Sequence, residues 1–208
     1  SLSRRNARAL AVLHVRVDGL ADRPGLAGDV VEVLGSCTRG EDLVARLDPT
    51  AFAVVLVEVW EADAAVRVAH RLVRELRELG LSGAQRRHGV SMGVAFYPHD
   101  GADGTALLDA AARATPATGA IGFANAGLGA TALRRAGLMA ELTGDRAASR
   151  FSLHYQPIRS VEDGTVEGAE ALLRWDRLGS LIPAADFIDL AESSGRIAAI
   201  DRWSIERA

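Results

Sequence analysis

Hydrophobic and polar positions alternate with a period of two along residues 8–18. This predicts a strand with Ala11, Leu13, Val15 and Val17 on one face and Leu10, Val12, His14, Arg16 and Asp18 on the other. Residues 19–28, rich in Gly, Pro and Asp, read as a loop, and Val30 to Leu34 as a short helix ending near Gly35. Two apolar runs, 43–47 and 52–59, flank Asp48-Pro49-Thr50-Ala51. They predict a hairpin, although the turn lacks the Gly or Asn of a two-residue primed turn. Phe52 to Val57 is continuously apolar, as a strand buried on both faces requires. The period then changes to that of a helix over 61–79, with Ala65, Val68, Ala69, Leu72, Leu76 and Leu79 in one stripe and Gly80 as its stop. A strand is predicted at 87–96, and a helix from about Gly104 to Thr115, capped by Asp103 and stopped by Pro116. A helical pattern follows at 131–142. A second pattern starts at Phe151: strands at 151–158 and 165–175 around Gly164, then helices at about 183–194 and 196–207.

Composition narrows the classes. Of 208 residues, 49% are apolar and 25% charged, an ordinary globular balance that excludes a mainly disordered chain. The net charge of -3 gives no global positive field, so a nucleic-acid polymer is not an expected partner. A single cysteine, Cys37, excludes an intramolecular disulfide and fits a reducing, cytoplasmic compartment. No run approaches the ~18 apolar residues of a membrane span. A start at Ser1 and an end in mid-pattern at Ala208 suggest a piece of a longer protein. His14, His70, His88, His99 and His154 are scattered without metal-ligand spacing and are expected to be structural, as are Trp60, Trp175 and Trp203.

The richest chemistry lies in the second pattern. Leu153-His154-Tyr155-Gln156-Pro157-Ile158 precedes Gly168-Ala169-Glu170-Ala171-Leu172-Leu173-Arg174-Trp175, and then come Pro183, Asp186-Phe187-Ile188 and Ala191-Glu192-Ser193-Ser194-Gly195. The two-residue period places Glu170, Leu172 and Arg174 on one strand face. A carboxylate there suits an oxygen-seeking cation, and an arginine can pair with phosphate. The same two residues could instead pair with each other inside a barrel. In order and spacing the segment resembles the opening of an EAL domain, the family of cyclic di-GMP phosphodiesterases. The resemblance implies a TIM-like barrel, with Glu170 as a ligand of Mg or Mn and Gln156 and Arg174 contacting the dinucleotide. The segment has 58 residues against roughly 250 in a complete barrel, so this piece alone is expected neither to hold the metal nor to hydrolyse anything.

The first pattern resembles, more loosely, a GGDEF domain, the diguanylate cyclase family. Val17-Asp18-Gly19, the hairpin at Arg46-Leu47 and Phe52–Leu56, Ser91-Met92-Gly93-Val94-Ala95 and Tyr97–Gly101 carry the likeness. The departures concern catalysis. The signature five residues are Asp48, Pro49, Thr50, Ala51 and Phe52, so only the Phe remains. The glycines that let a phosphate approach the backbone are gone, and the acidic pair has become Thr50-Ala51. Arg16 stands where the first-strand metal aspartate belongs, and a cation at about 4 Å repels a divalent ion. The guanine-binding loop is trimmed, with Asp29 as its remnant, and Pro116 and Gly119 replace a Tyr-x-Ala-Lys element. Arg39-Gly40-Glu41-Asp42 fits the family's Arg-x-x-Asp inhibitory site, where Arg39 and Asp42 would bind nucleotide. Solvated turn residues would give the same pattern.

The expected fold is α+β: a cyclase-like, mostly antiparallel central sheet flanked by helices, followed by an incomplete TIM-like barrel segment. The expected divisions are a degenerate GGDEF domain at 1–128, a linker helix at 129–150 and an EAL fragment at 151–208. The resemblance implies bacterial cyclic di-GMP signalling. An inactive front domain would regulate an EAL phosphodiesterase by dimerising or by binding cyclic di-GMP, or GTP weakly. The alternative is a receptor or interaction module without catalysis in either half.

Overall fold

The computed structural model describes residues 10–59, 61–81, 89–117, 119–144, 147–177 and 179–208. Trp60 and His88 lie outside them. The chain divides into two compact units, 1–134 and 135–208.

The front unit is built on five strands: β1 (Leu10–Val17), β2 (Leu43–Arg46), β3 (Ala51–Val57), β4 (Val90–Tyr97) and β5 (Ile121–Phe123). Their order is β2-β3-β1-β4-β5, antiparallel except for the last pair. Alternation in β1 buries Ala11, Leu13, Val15 and Val17 completely, under α1 (Ala27–Ser36) and α2 (Ala62–Leu76). A one-residue slip would turn these four side chains away from α1 and α2 and drive Arg16 into that core, so the register is well determined. The opposite face places Val12 and Ala95 against Leu107, Ala110 and Ala111 of α3 (Gly104–Ala114). As expected, Asp103 caps α3, its carboxylate accepting from the Ala106 amide at 2.9 Å. Gly93 of β4 allows α3 its close approach, because a Cβ there would collide with the Ala111 carbonyl oxygen.

Several bounds differ from expectation. The first helix runs from Ala27, three residues before Val30, and α2 gives way to a π-helical turn at Arg77–Leu81. Strand β5 was not expected; it is three residues long and adds to the sheet by parallel pairing with β4.

Helix α4 (Ala126–Thr143) crosses from one unit to the next. In the rear unit its Leu138 and Leu142 join a core of Trp175, Ile182, Phe187, Leu190, Ala191 and Ile200. Strands β6 (Phe151–Arg159), β7 (Val166–Arg177) and β8 (Ser180–Pro183) form an antiparallel sheet in that order. The helix expected at 183–194 is corrected to a 3-10 turn at Ala184–Asp186 and α5 (Ile188–Ser193), followed by α6 (Ile197–Ile205). The reason is a hairpin ahead of it: Gly179 takes φ +84°, its amide donates to Asp176 Oδ1 at 2.9 Å, and β8 then pairs back on β7. Phe151, Trp175 and Phe187 pack together with ring centroids 5.3–6.1 Å apart, Phe151 stacked on Phe187 and Trp175 meeting the Phe187 ring edge-on. Glu141 of α4 pairs with Arg177 of β7 at 2.9 Å and with Arg150 at 3.3 Å. Among the described residues no helix is long and apolar enough to cross a membrane.

Candidate functional site

Three places in the fold carry the residues singled out above. The first is the β2–β3 turn and the end of β1. Asp48 Oδ1 accepts from the Thr50 amide at 2.7 Å, the Thr50 hydroxyl at 3.0 Å and the Ala51 amide at 2.8 Å. The Thr50 amide bond is the largest of the causes that hold its carboxyl below the usual range. Arg46 closes the turn, donating to the carbonyls of Asp48 and Pro49 at 3.1 Å each while its guanidinium lies over the Phe52 ring. Arg16 sits opposite Ala51 on β3 and Ser91 on β4. It pairs with Asp18 at 3.3 Å and donates to the Pro116 carbonyl at 2.6 Å.

Beside it, His14 Nδ1 lies 2.8 Å from Thr115 Oγ1. The Thr115 hydroxyl already donates to the Ala111 carbonyl at 3.0 Å, so its oxygen accepts from His14 and Nδ1 carries the proton. Burial lowers the His14 pKa and the Arg16 charge lowers it further, against a smaller opposing pull from Asp48. His14 is thus a neutral, structural imidazole at neutral pH.

The second place is a cavity of about 600 Å³ between the end of β3, α2 and the loop after α1, lined by Arg39, Asp42, Glu58, Arg67 and Arg71. Asp42 is occupied: Oδ2 accepts from the Arg39 amide at 2.8 Å and Oδ1 from the Val57 amide at 3.0 Å. It fixes the loop and ties it to the end of β3. Arg71 donates to the Cys37 carbonyl, and Arg67 pairs with the buried Asp63. Cys37 itself is buried. Glu58 adopts φ +55°, a left-handed conformation that a β-strand end rarely takes without local constraint. In the fold Arg67 and Arg71 line this cavity together with Arg39.

The third place is one face of the β6–β7 ladder. Gln156 lies directly opposite Glu170, His154 opposite Leu172 and Ser152 opposite Arg174, so these six residues share a face. Gln156, His154 and Glu170 are exposed, and Arg174 is half-buried. Arg174 donates to the Leu173 carbonyl at 2.8 Å. Glu170 and the Gln156 amide offer two oxygen donors, whereas Mg²⁺ takes about six ligands in near-octahedral geometry. Among the described residues no group of three or more acidic, His or Cys side chains could hold a metal. Two oxygen donors are too few to form a cation site by themselves.

Comparison with known proteins puts these geometries in context. The profile of the diguanylate cyclase GGDEF domain matches residues 28–124, and that of the EAL domain matches residues 133–208. A signalling protein of Caulobacter vibrioides is 32% identical over 220 residues, covering 98% of this chain and 27% of its own length. The bifunctional diguanylate cyclase/cyclic di-GMP phosphodiesterase MucR of Pseudomonas aeruginosa is 32% identical, with 98% of this chain and 32% of MucR covered. The cyclic di-GMP phosphodiesterase NbdA of the same organism is 33% identical over 86% of this chain and 24% of NbdA. The chain thus spans no more than about a third of these relatives. Among solved structures, the GGDEF domain of PA1120 from Pseudomonas aeruginosa aligns over 59% of this chain and 86% of its own, at 28% identity and a TM-score of 0.47. With the two profiles following one another along residues 28–208, this chain is a GGDEF domain followed by an EAL-domain segment.

Proposed function

We propose that this chain is part of a cyclic di-GMP signalling protein whose GGDEF domain is catalytically silent and regulatory. Its EAL domain, in the whole protein, hydrolyses cyclic di-GMP. The observation that carries the silent-domain reading is the use of Arg16: its guanidinium occupies the end of β1, held by Asp18 and the Pro116 carbonyl. Its neighbour across the ladder is Ala51, and the nearby Asp48 spends Oδ1 on its own turn. A divalent cation would meet a fixed positive charge where nucleotide synthesis needs negative ligands.

In the EAL segment Glu170 would supply one ligand to a Mg or Mn ion, the chemistry of such an ion being the activation of water for attack on a phosphodiester. Gln156 and Arg174 would orient the dinucleotide, Arg174 by pairing with a phosphate. In the front unit, Arg39 and Arg71 line the cavity with guanidiniums that could pair with a phosphate. Regulation would run through cyclic di-GMP, or more weakly GTP, bound there without turnover.

The test uses the whole protein with GTP and Mg²⁺, and separately with cyclic di-GMP and Mg²⁺ or Mn²⁺. The reading requires no guanine dinucleotide from GTP and a linear dinucleotide from cyclic di-GMP. Synthesis from GTP above background contradicts the first half, and intact cyclic di-GMP after long incubation contradicts the second.

A further inference from the structure

We propose that His154 is a substrate-positioning residue of the EAL face, donating a hydrogen bond to the cyclic dinucleotide between the groups held by Glu170 and Arg174. The inference rests on the reading of Gln156, Glu170 and Arg174 as the dinucleotide-binding face. Its own basis is register. Glu170 and Arg174 are four residues apart on β7, about 13 Å at the rise of an extended strand. Leu172 lies midway, and His154 is its direct partner across the ladder, with Cα atoms ~5 Å apart in such pairs. A ligand that spans Glu170 and Arg174 on this face passes over Leu172 and beside His154.

The pair is chemically suited to that position. Leu172 gives an apolar surface for a base or ribose, and the imidazole gives a planar ring with an N–H donor. His154 is exposed and, among the described residues, makes no hydrogen bond or ion pair. His14 shows the contrast: it is half-buried and bonded to Thr115.

The experiment is calorimetric titration of cyclic di-GMP into the whole protein under a chelator, so that no turnover intervenes. Steady-state kinetics with metal run alongside. His154→Leu and His154→Phe should each raise Kd about tenfold, whereas His154→Gln, which keeps an N–H donor, should stay within about threefold of wild type. KM should follow Kd, kcat should hold within about twofold, and the thermal midpoint should not move. Unchanged Kd of the EAL-face binding step in His154→Leu and His154→Phe, with Arg174→Ala abolishing that step and leaving the one that Arg39→Ala weakens, would overturn the role of His154 and leave the face intact. Unchanged Kd in Arg174→Ala would remove the face, and the proposal with it. Full binding by His154→Phe alone would replace hydrogen bonding by stacking and so contradict the inference as stated.

Discussion

The β2–β3 hairpin of the front unit and the β6–β7 hairpin of the rear unit treat their polar side chains in opposite ways. In the first, the polar groups are used internally: Asp48 on Thr50 and Ala51, Arg46 on the carbonyls of Asp48 and Pro49, and Arg16 on Asp18 and Pro116. In the second, Gln156 and Glu170 face each other across the ladder, exposed, and among the described residues neither makes a hydrogen bond or ion pair. A polar group already satisfied by its own loop must lose those bonds before it can serve a ligand, at about 0.5–1.5 kcal/mol for each neutral bond. A paired but unengaged carboxylate and amide carry no such cost. The first arrangement is structural; the second leaves a carboxylate and an amide that this segment does not itself use, open to the remainder of the barrel or to a ligand.

The largest effect that sharpens this contrast is on turnover. Glu170→Gln in the whole protein should reduce cyclic di-GMP hydrolysis by more than the ten- to hundredfold typical of residues that merely support a metal ligand. Near-normal rates would erase the distinction between the two hairpins. Arg39→Ala comes next: removing one guanidinium from the front cavity should weaken cyclic di-GMP binding there roughly tenfold or more, about 1.4 kcal/mol. Equal calorimetric isotherms for wild type and variant would reduce Arg39 and Asp42 to turn residues, a role Asp42 already fills through the Arg39 and Val57 amides.

Smaller effects test the structural side. Asp48→Ala deletes an acceptor that serves two backbone amides and a hydroxyl, and should lower unfolding stability by about 1 kcal/mol in urea titrations. No loss would mean the turn does not depend on that carboxylate. The smallest concerns His14. Burial and the Arg16 charge hold its folded pKa below the ordinary histidine range, so the unfolded chain binds the proton more readily. The His14 contribution is complete above about pH 6.5 and declines as pH falls through the lowered folded value. His14→Gln should flatten that part of the stability–pH curve, and an unchanged slope would show that another group produces it.

Much of the front fold was legible because its strands obey the simplest rule, one side chain in and the next out, as Leu13, Val15 and Val17 do against His14 and Arg16. The short strands β5 and β8 were not legible, since three or four residues carry no period and their pairing is decided by neighbours distant in sequence. The same limit hid the site geometry. The contact of His14 with Thr115 spans 101 positions, and the lining of the cavity by Arg67 and Arg71 follows from how α2 lies on the sheet. Glu170, Leu172 and Arg174 could be placed on one face from sequence. Gln156 and His154 could not be set against them, because a hairpin with an irregularity between Ile158 and Arg159 does not declare its register in its residues.

The most direct measurement is the conversion of GTP with Mg²⁺ by the whole protein carrying Glu170→Gln, which leaves any cyclic di-GMP unhydrolysed, followed chromatographically. With Arg16 fixed at the end of β1 and no acid at Thr50 or Ala51, neither the linear intermediate nor cyclic di-GMP should form above the background of an enzyme-free control. Steady accumulation of either product, abolished by removing Mg²⁺, would show that the front unit still holds a catalytic metal and would contradict the account.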